Sequence, residues 1–254
     1  MGIITLATGK TRVSVVPARG ALVSAVEVAG RQLLYMDQAT LADRTKNVRG
    51  GIPLLFPFAG RLVDDLFMAA GTTIKQHGFG RNRAWDVVER SSERIVMRLV
   101  ADDDTRAQFP FEFIANVEVE AVTDGVHLAL ETINTGQVPL PLAPGWHPYF
   151  ACALADKGEV AGDVPGLARG GLSDDREHDF GLVAPATGVT HLDPLGITLS
   201  ATPAMRHLQV WTLPGREFVC VEPFCGPANA INTPARALVP PGGRLELWMR
   251  ILAR

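Results

Sequence analysis

Phe111-Glu-Phe-Ile-Ala-Asn-Val-Glu-Val119 places Phe111, Phe113, Ala115, Val117 and Val119 at every second position, with mostly polar residues between them. Successive side chains of an extended strand point to opposite faces, so the pattern specifies a strand with one apolar face. Leu245, Leu247, Met249 and Ile251 repeat it near the end of the chain. Shorter runs of the same kind occupy residues 12–16, 21–28, 85–89, 94–100, 126–132, 207–212 and 217–221. Turn-forming stretches separate many of them, among them Thr123-Asp-Gly125, Pro214-Gly215 and Pro241-Gly-Gly243. Residues 38–47 could make a short helix, and no long amphipathic helix stands out. So many antiparallel strands in one open sheet would leave an apolar face in water. The expected fold is therefore all-β, a large antiparallel β-sandwich with few short helices. Residues 156–179 are rich in Gly, Asp and Ala with weak periodicity, and they read as a long excursion over one sheet, the kind of segment that often carries function.

With 47% hydrophobic and 20% charged residues, the 254-residue chain can bury a sizeable core. No linker or repeat divides it, so residues 1–254 are expected to form a single domain. A net charge of -3 argues against a nucleic-acid partner, which would call for a basic face. No stretch approaches the roughly 18 apolar residues of a membrane span. The first residues lack the charged-then-apolar pattern of a secretory signal, which makes the cytoplasm the expected location. Cys152, Cys220 and Cys225 show no Cys-x-x-Cys spacing, which disfavours both a disulfide framework and a zinc clip.

Two of the six histidines stand in unusual settings. His77, in Gln76-His-Gly-Phe-Gly-Arg81, is followed by glycines that let the backbone bend close to a ligand. His147, in Gly145-Trp-His-Pro-Tyr-Phe150, lies among prolines and aromatic rings; a core histidine tied to a carbonyl is the plain alternative. Glu222 ends the apolar run Phe218-Val-Cys-Val-Glu222, where a carboxylate is costly to bury unless paired. It is either the partner of an arginine or a base tuned by its surroundings. Two imidazoles and a carboxylate suit proton shuttling on a neutral polar substrate. Arg61 follows Gly60 as a fork-shaped donor, and Asp179 lies in an acidic stretch with Asp174, Asp175 and Glu177.

Taken in order, Gly50-Gly-Ile-Pro-Leu-Leu-Phe-Pro57, Arg61, His77-Gly-Phe-Gly-Arg81, Trp85, His147-Pro-Tyr-Phe150 and Val221-Glu-Pro223 resemble the aldose 1-epimerase (mutarotase) family. Val15-Val-Pro-Ala-Arg-Gly-Ala-Leu-Val23 and Gly30-Arg-Gln-Leu-Leu-Tyr35 are similar to that family's first strands. The resemblance implies a galactose mutarotase-type β-sandwich, with a sugar site in a cleft across one sheet, no metal and no organic cofactor. It implies that Glu222 is the general base at the anomeric hydroxyl and His147 the general acid at the ring oxygen. His77 and Arg61 would hold the sugar, with Arg81 beside them. An aspartate between the second histidine and the glutamate would bind sugar hydroxyls, with Asp179 the candidate and Asp175 and Asp193 the alternatives. Trp211 and Phe79 could stack on a sugar face. The expected partner is a small sugar, hexose or hexose phosphate, bound by a monomer or homodimer. A hexose-6-phosphate 1-epimerase is the alternative enzyme, with Arg49, Lys75, Arg81 and Arg83 as a phosphate patch. A non-catalytic carbohydrate-binding or sensing protein is the alternative of another class.

Overall fold

The Phe111–Val119 pattern becomes the strand Phe113–Val122, which pairs with Arg94–Val100 on one side and Gly125–Asn134 on the other. These belong to a seven-stranded antiparallel sheet in the order Val189–Leu192, Ile197–Ala201, Arg244–Ala253, Gly125–Asn134, Phe113–Val122, Arg94–Val100 and Asp86–Arg90. Its register aligns Met97, Val117, Leu130 and Leu247 on one face, all buried, while Asn116, Glu118, Glu131 and Glu246 turn to the other. This computed structural model describes residues 2–254.

A second sheet has the order His178–Val183, His207–Thr212, Phe218–Phe224, Gly145–Trp146 and Leu54–Leu55, with Tyr149–Ala151 also paired to Phe218–Phe224. All seven residues of Phe218–Phe224 are buried, so the strand shows no alternation of burial. Val219 and Val221 join the main core, which also takes Val117, Leu130 and Met249 from the first sheet and Val13, Val15 and Val26 from a four-stranded sheet spanning Ile4–Gln32. Fully burying such an aliphatic side chain is worth about 1.5–3 kcal/mol, and this shared layer holds the sheets together. The fold is a large antiparallel β-sandwich.

The helix expected over 38–47 stops at Ala42. Asp37 caps its start by accepting from the N–H groups of Ala39 and Thr40. Its end is captured by Arg19, 8% exposed, whose Nη2 donates to the carbonyls of Thr40, Asp43 and Lys46. Wrapping around that guanidinium replaces further helical turns and carries the chain to Asn47, Val48 and Arg49, on the rim of a cavity described below. The excursion over 156–179 is not featureless. It holds the helix Lys157–Asp163, where the buried Lys157 ammonium donates to Asp174 Oδ1 at 2.6 Å and to the Leu213 carbonyl at 2.8 Å. Its last two residues already form strand, because His178 and Asp179 pair with Thr212 and Trp211.

Candidate active site

A cavity of about 770 Å³ opens on the outward face of the second sheet. Two rows of the ladder underlie it, and every residue of these rows except the fully covered Cys220 lines the cavity. Asp179 stands opposite Trp211, Trp211 opposite Cys220, and Cys220 opposite Tyr149; in the next row Gln209 stands opposite Glu222. Residues two apart on a strand share a face, so the inward Val219 and Val221 force Cys220 and Glu222 outward.

Glu222 is 1% exposed and His147 7% exposed, and both line the cavity. Glu222 Oε1 lies 3.5 Å from His147 Nε2. Glu222 Oε2 and His147 Nδ1 are buried without a hydrogen-bond partner among the described residues. His147 is held by its own N–H, which donates to the Pro53 carbonyl at 3.0 Å, and by Tyr149, whose ring stacks on the imidazole at 4.6 Å between centroids and 8° between planes. The salt-bridge alternative for Glu222 does not arise, since it forms no ion pair with an arginine among the described residues.

Burial pushes the Glu222 carboxyl well above the ordinary carboxylate range; the Asp179 charge adds to this and Arg81 opposes it. Burial, then the neighbouring Arg81 cation, lowers His147 to about 3. Burial therefore favours the uncharged form of both groups, a carboxylic acid beside a neutral imidazole.

His77 is fixed by reciprocal bonds with Gly60. Its N–H donates to the Gly60 carbonyl at 2.9 Å, and its Nδ1 accepts from the Gly60 N–H at 3.0 Å. A backbone N–H can only donate, so the neutral ring carries its proton on Nε2. His77 also sits at φ 69° and Gly78 at 66°, consecutive left-handed residues that turn the imidazole to the cavity wall. Burial, then Arg81 and His147, keep His77 well below the usual imidazole value. Arg81, in the turn Gly80–Asn82, donates to the Gln76 carbonyl at 3.1 Å. Arg61 is exposed on the rim, its Nε donating to Gln76 Oε1 at 3.3 Å. Asp179 accepts from Gln209 Nε2, while Gln209 Oε1 faces His207 Nε2 at 2.9 Å.

The structure thus brings Glu222, His147, His77, Arg81, Arg61 and Asp179 around one cavity. It separates others. Asp193 is tied to Arg254 and Asp175 to Ser173, neither on the cavity wall. Arg83 pairs with Asp102 and Asp104, and neither it nor Lys75 lines the cavity, so only Arg49 and Arg81 remain of the four-residue basic patch. Phe79 does not offer a stacking face, because it is buried against Phe56, Phe109 and Phe113. Trp211 does line the cavity, its Nε1 donating to Glu177 Oε1 at 2.7 Å. Sequence reading missed Gln209 and Glu177. Gln209 alternates with buried Leu208 and Val210, a usable signal of an outward side chain, but its pairing opposite Glu222 is not legible in one sequence. It also missed that Cys220 joins His147 and Glu222, with donor atoms all within 4.8 Å of one another.

The sandwich has the galactose mutarotase-like fold, with the cavity on the outward face of its second sheet. The sequence profile of the aldose 1-epimerase family matches residues 2–164, and the chain belongs to that family. A Synechocystis sp. PCC 6803 protein of solved structure is similar to it at 30% identity, over 99% of this chain and 95% of that one, with a TM-score of 0.88. A galactose mutarotase related enzyme from Lactobacillus acidophilus shares the fold at 19% identity and a TM-score of 0.78, over 100% and 97% of the two chains. A galactose mutarotase-like protein from Lactobacillus casei does so at 20% identity and 0.75, over the whole of both.

Proposed function

We propose that the chain is an aldose 1-epimerase that interconverts the α and β anomers of a hexose by opening and reclosing the ring. The observation that carries this reading is the Glu222–His147 pair, 3.5 Å apart and buried on the floor of the cavity, each with an unpartnered atom. Opening a hemiacetal removes a proton from O1 and delivers one to O5, and both oxygens are bonded to C1. An acid and a base a few ångströms apart meet that demand, and each proton transfer contributes about 10²–10⁴ in rate. Asp179, Gln209, Arg81 and the Nε2–H of His77 supply acceptors and donors for ring hydroxyls, and Trp211 supplies a flat face.

The electrostatics refine the roles. Glu222 as base and His147 as acid require a carboxylate and an imidazolium, which have the same proton count as the neutral pair that burial favours. Substrate hydroxyls that solvate the carboxylate draw the proton across to His147. Ring opening then returns the pair to its uncharged arrangement, with the O1 proton on Glu222 and the His147 proton on O5. The protein is thereby complementary to the open-chain sugar rather than to the ring forms, which lowers the barrier between them. After rotation about C1–C2, reclosure reverses both transfers.

A pH profile tests this. The one-proton pair persists down to the His147 value of about 3, so kcat/KM is expected to hold as pH falls through 6.5 and to drop only well below it. A loss centred near 6.5 would contradict the proton arrangement.

A second reading, a hexose 6-phosphate as substrate, is favoured by Arg49 and Arg61, exposed on the rim with no carboxylate partner among the described residues. Half of the anticipated patch lies elsewhere, and we place the free hexose first. Polarimetry or proton NMR of freshly dissolved α-glucose, α-galactose and glucose 6-phosphate decides. Faster equilibration of a free hexose is expected; a strong preference for the phosphate would reverse the ranking, and no acceleration of any of them would end the epimerase reading. A sensing role gives no reason to bury a carboxyl and an imidazole with unpartnered atoms. The reading includes a single functional unit over 1–254, a cytoplasmic setting and turnover without a cofactor. Among the described residues no helix is long and apolar enough to cross a membrane.

A further inference from the structure

Cys220 is a buried thiol with no part in the proton transfers. It projects from the same strand face as Glu222, two residues away, into the space beside His147. The three donor atoms, one nitrogen, one sulfur and one oxygen, all lie within 4.8 Å of one another. From this geometry we infer that His147, Cys220 and Glu222 form an inhibitory binding site for a thiophilic divalent cation of the zinc class.

Zinc–ligand bonds of about 2.0–2.3 Å in a tetrahedron separate neighbouring donor atoms by roughly 3.4 Å. His147 Nε2 and Glu222 Oε1 already stand at 3.5 Å. The thiol completes a set whose donor atoms all lie within 4.8 Å of one another, so ligation asks for a contraction of about an ångström. Glu222 Oε2 has no protein partner to lose, so drawing the carboxylate onto a cation breaks no hydrogen bond of the fold. Charge balance favours a divalent ion at this depth: the cation with one thiolate, one carboxylate and a neutral imidazole leaves no net charge buried. The thiol proton and the proton held by the Glu222–His147 pair pass to solvent on binding. Sulfur and imidazole ligation selects zinc, cobalt or copper over magnesium and calcium, which take oxygen ligands. His147 and Glu222 line the cavity, which gives the ion its path and leaves its fourth position facing the cavity, where water or a sugar hydroxyl binds. A cation there occupies both the proposed acid and the proposed base, so sugar turnover stops until it is removed.

The inhibition half rests on the epimerase reading, whereas the site itself does not, and two readouts keep them apart. The reduced full-length protein is titrated with Co²⁺ and followed by thiolate-to-cobalt charge-transfer absorption. The wild type is expected to show the band at equimolar metal, and Cys220→Ala to lack it. Zn²⁺ is then added during sugar anomerisation. Wild-type acceleration is expected to disappear and to return with a chelator, while Mg²⁺ has no effect. Cys220→Ala should keep its metal-free rate and need at least roughly 10-fold more zinc, since losing a direct ligand costs no less than losing a group that merely orients one. Cys220→Val serves if the alanine variant folds poorly. A wild type with no cobalt band, or a variant with an undiminished one, overturns the site. A band accompanied by an unchanged rate in zinc overturns the inhibition. A protein that accelerates no sugar but shows the band refutes the epimerase reading and leaves the metal site standing.

Discussion

Glu222→Gln is expected to lower the rate of hexose anomerisation by about 10²–10⁴ while stabilising the fold at alkaline pH. The amide keeps the size of the carboxyl but cannot accept the O1 proton, so the loss should fall on kcat. The stability gain follows from linkage. The folded-state pKa of Glu222 lies above its unfolded value of 4.5. The folded protein thus holds a proton that the unfolded chain releases, and the associated stability is present below 4.5 and lost as pH rises through the folded value. Above the folded value the wild type has lost that contribution, whereas the variant has nothing to lose. Melting curves should therefore place Glu222→Gln increasingly above the wild type as pH rises into the alkaline range, with the gap closing as pH falls toward 4.5. A variant that is inactive and less stable at every pH would mean that the carboxyl is a structural partner rather than a strained catalytic group.

The second large effect is expected at Gly78. A Cβ there would lie 2.2 Å from the Phe56 carbonyl oxygen, on a residue with φ +66°. That oxygen accepts from the N–H groups of both Phe79 and Gly80 at 2.9 Å, so it cannot retreat without breaking two bonds. Left-handed strain and overpacking together give about 3 kcal/mol for Gly78→Ala. For a chain of this size that lowers Tm by roughly 6–12 °C. His77 shares the turn, so activity should fall even at temperatures where the variant is folded. A melting temperature within a degree or two of wild type would refute the account of this turn.

Much of the sandwich was legible because its outer sheet is half exposed. Where one face meets water, as over Phe113–Val122, the alternation prints the strand directly. In the site-bearing strand both faces are covered, so Phe218–Phe224 lost its alternation, and Pro223 hid the fact that the strand continues past Glu222. The short pieces Leu54–Leu55 and Gly145–Trp146 were unreadable for another reason: two residues have no period, and their pairing at Gly145 and Leu55 links positions ninety apart in the sequence. At the site, the residues with unusual neighbours, His77, His147 and Glu222, announced themselves. Gln209 and Cys220 did not, since each owes its place to register across strands, and Glu177, just before the strand His178–Val183, reaches the site through its bond from Trp211. Phe79 misled because an aromatic beside a ligand motif can serve the motif from behind, by packing.

The strand Arg244–Ala253, latest in the sequence, lies between Ile197–Ala201 and Gly125–Asn134 rather than at a margin of its sheet. During synthesis those two neighbours emerge long before the strand that joins them, and each must wait with a row of unpaired backbone groups. An open edge of this kind is a template for pairing with another chain. The growing polypeptide therefore passes through an interval in which the sheet stands divided, its vulnerability to chaperone capture and aggregation set by how quickly translation delivers Arg244–Ala253.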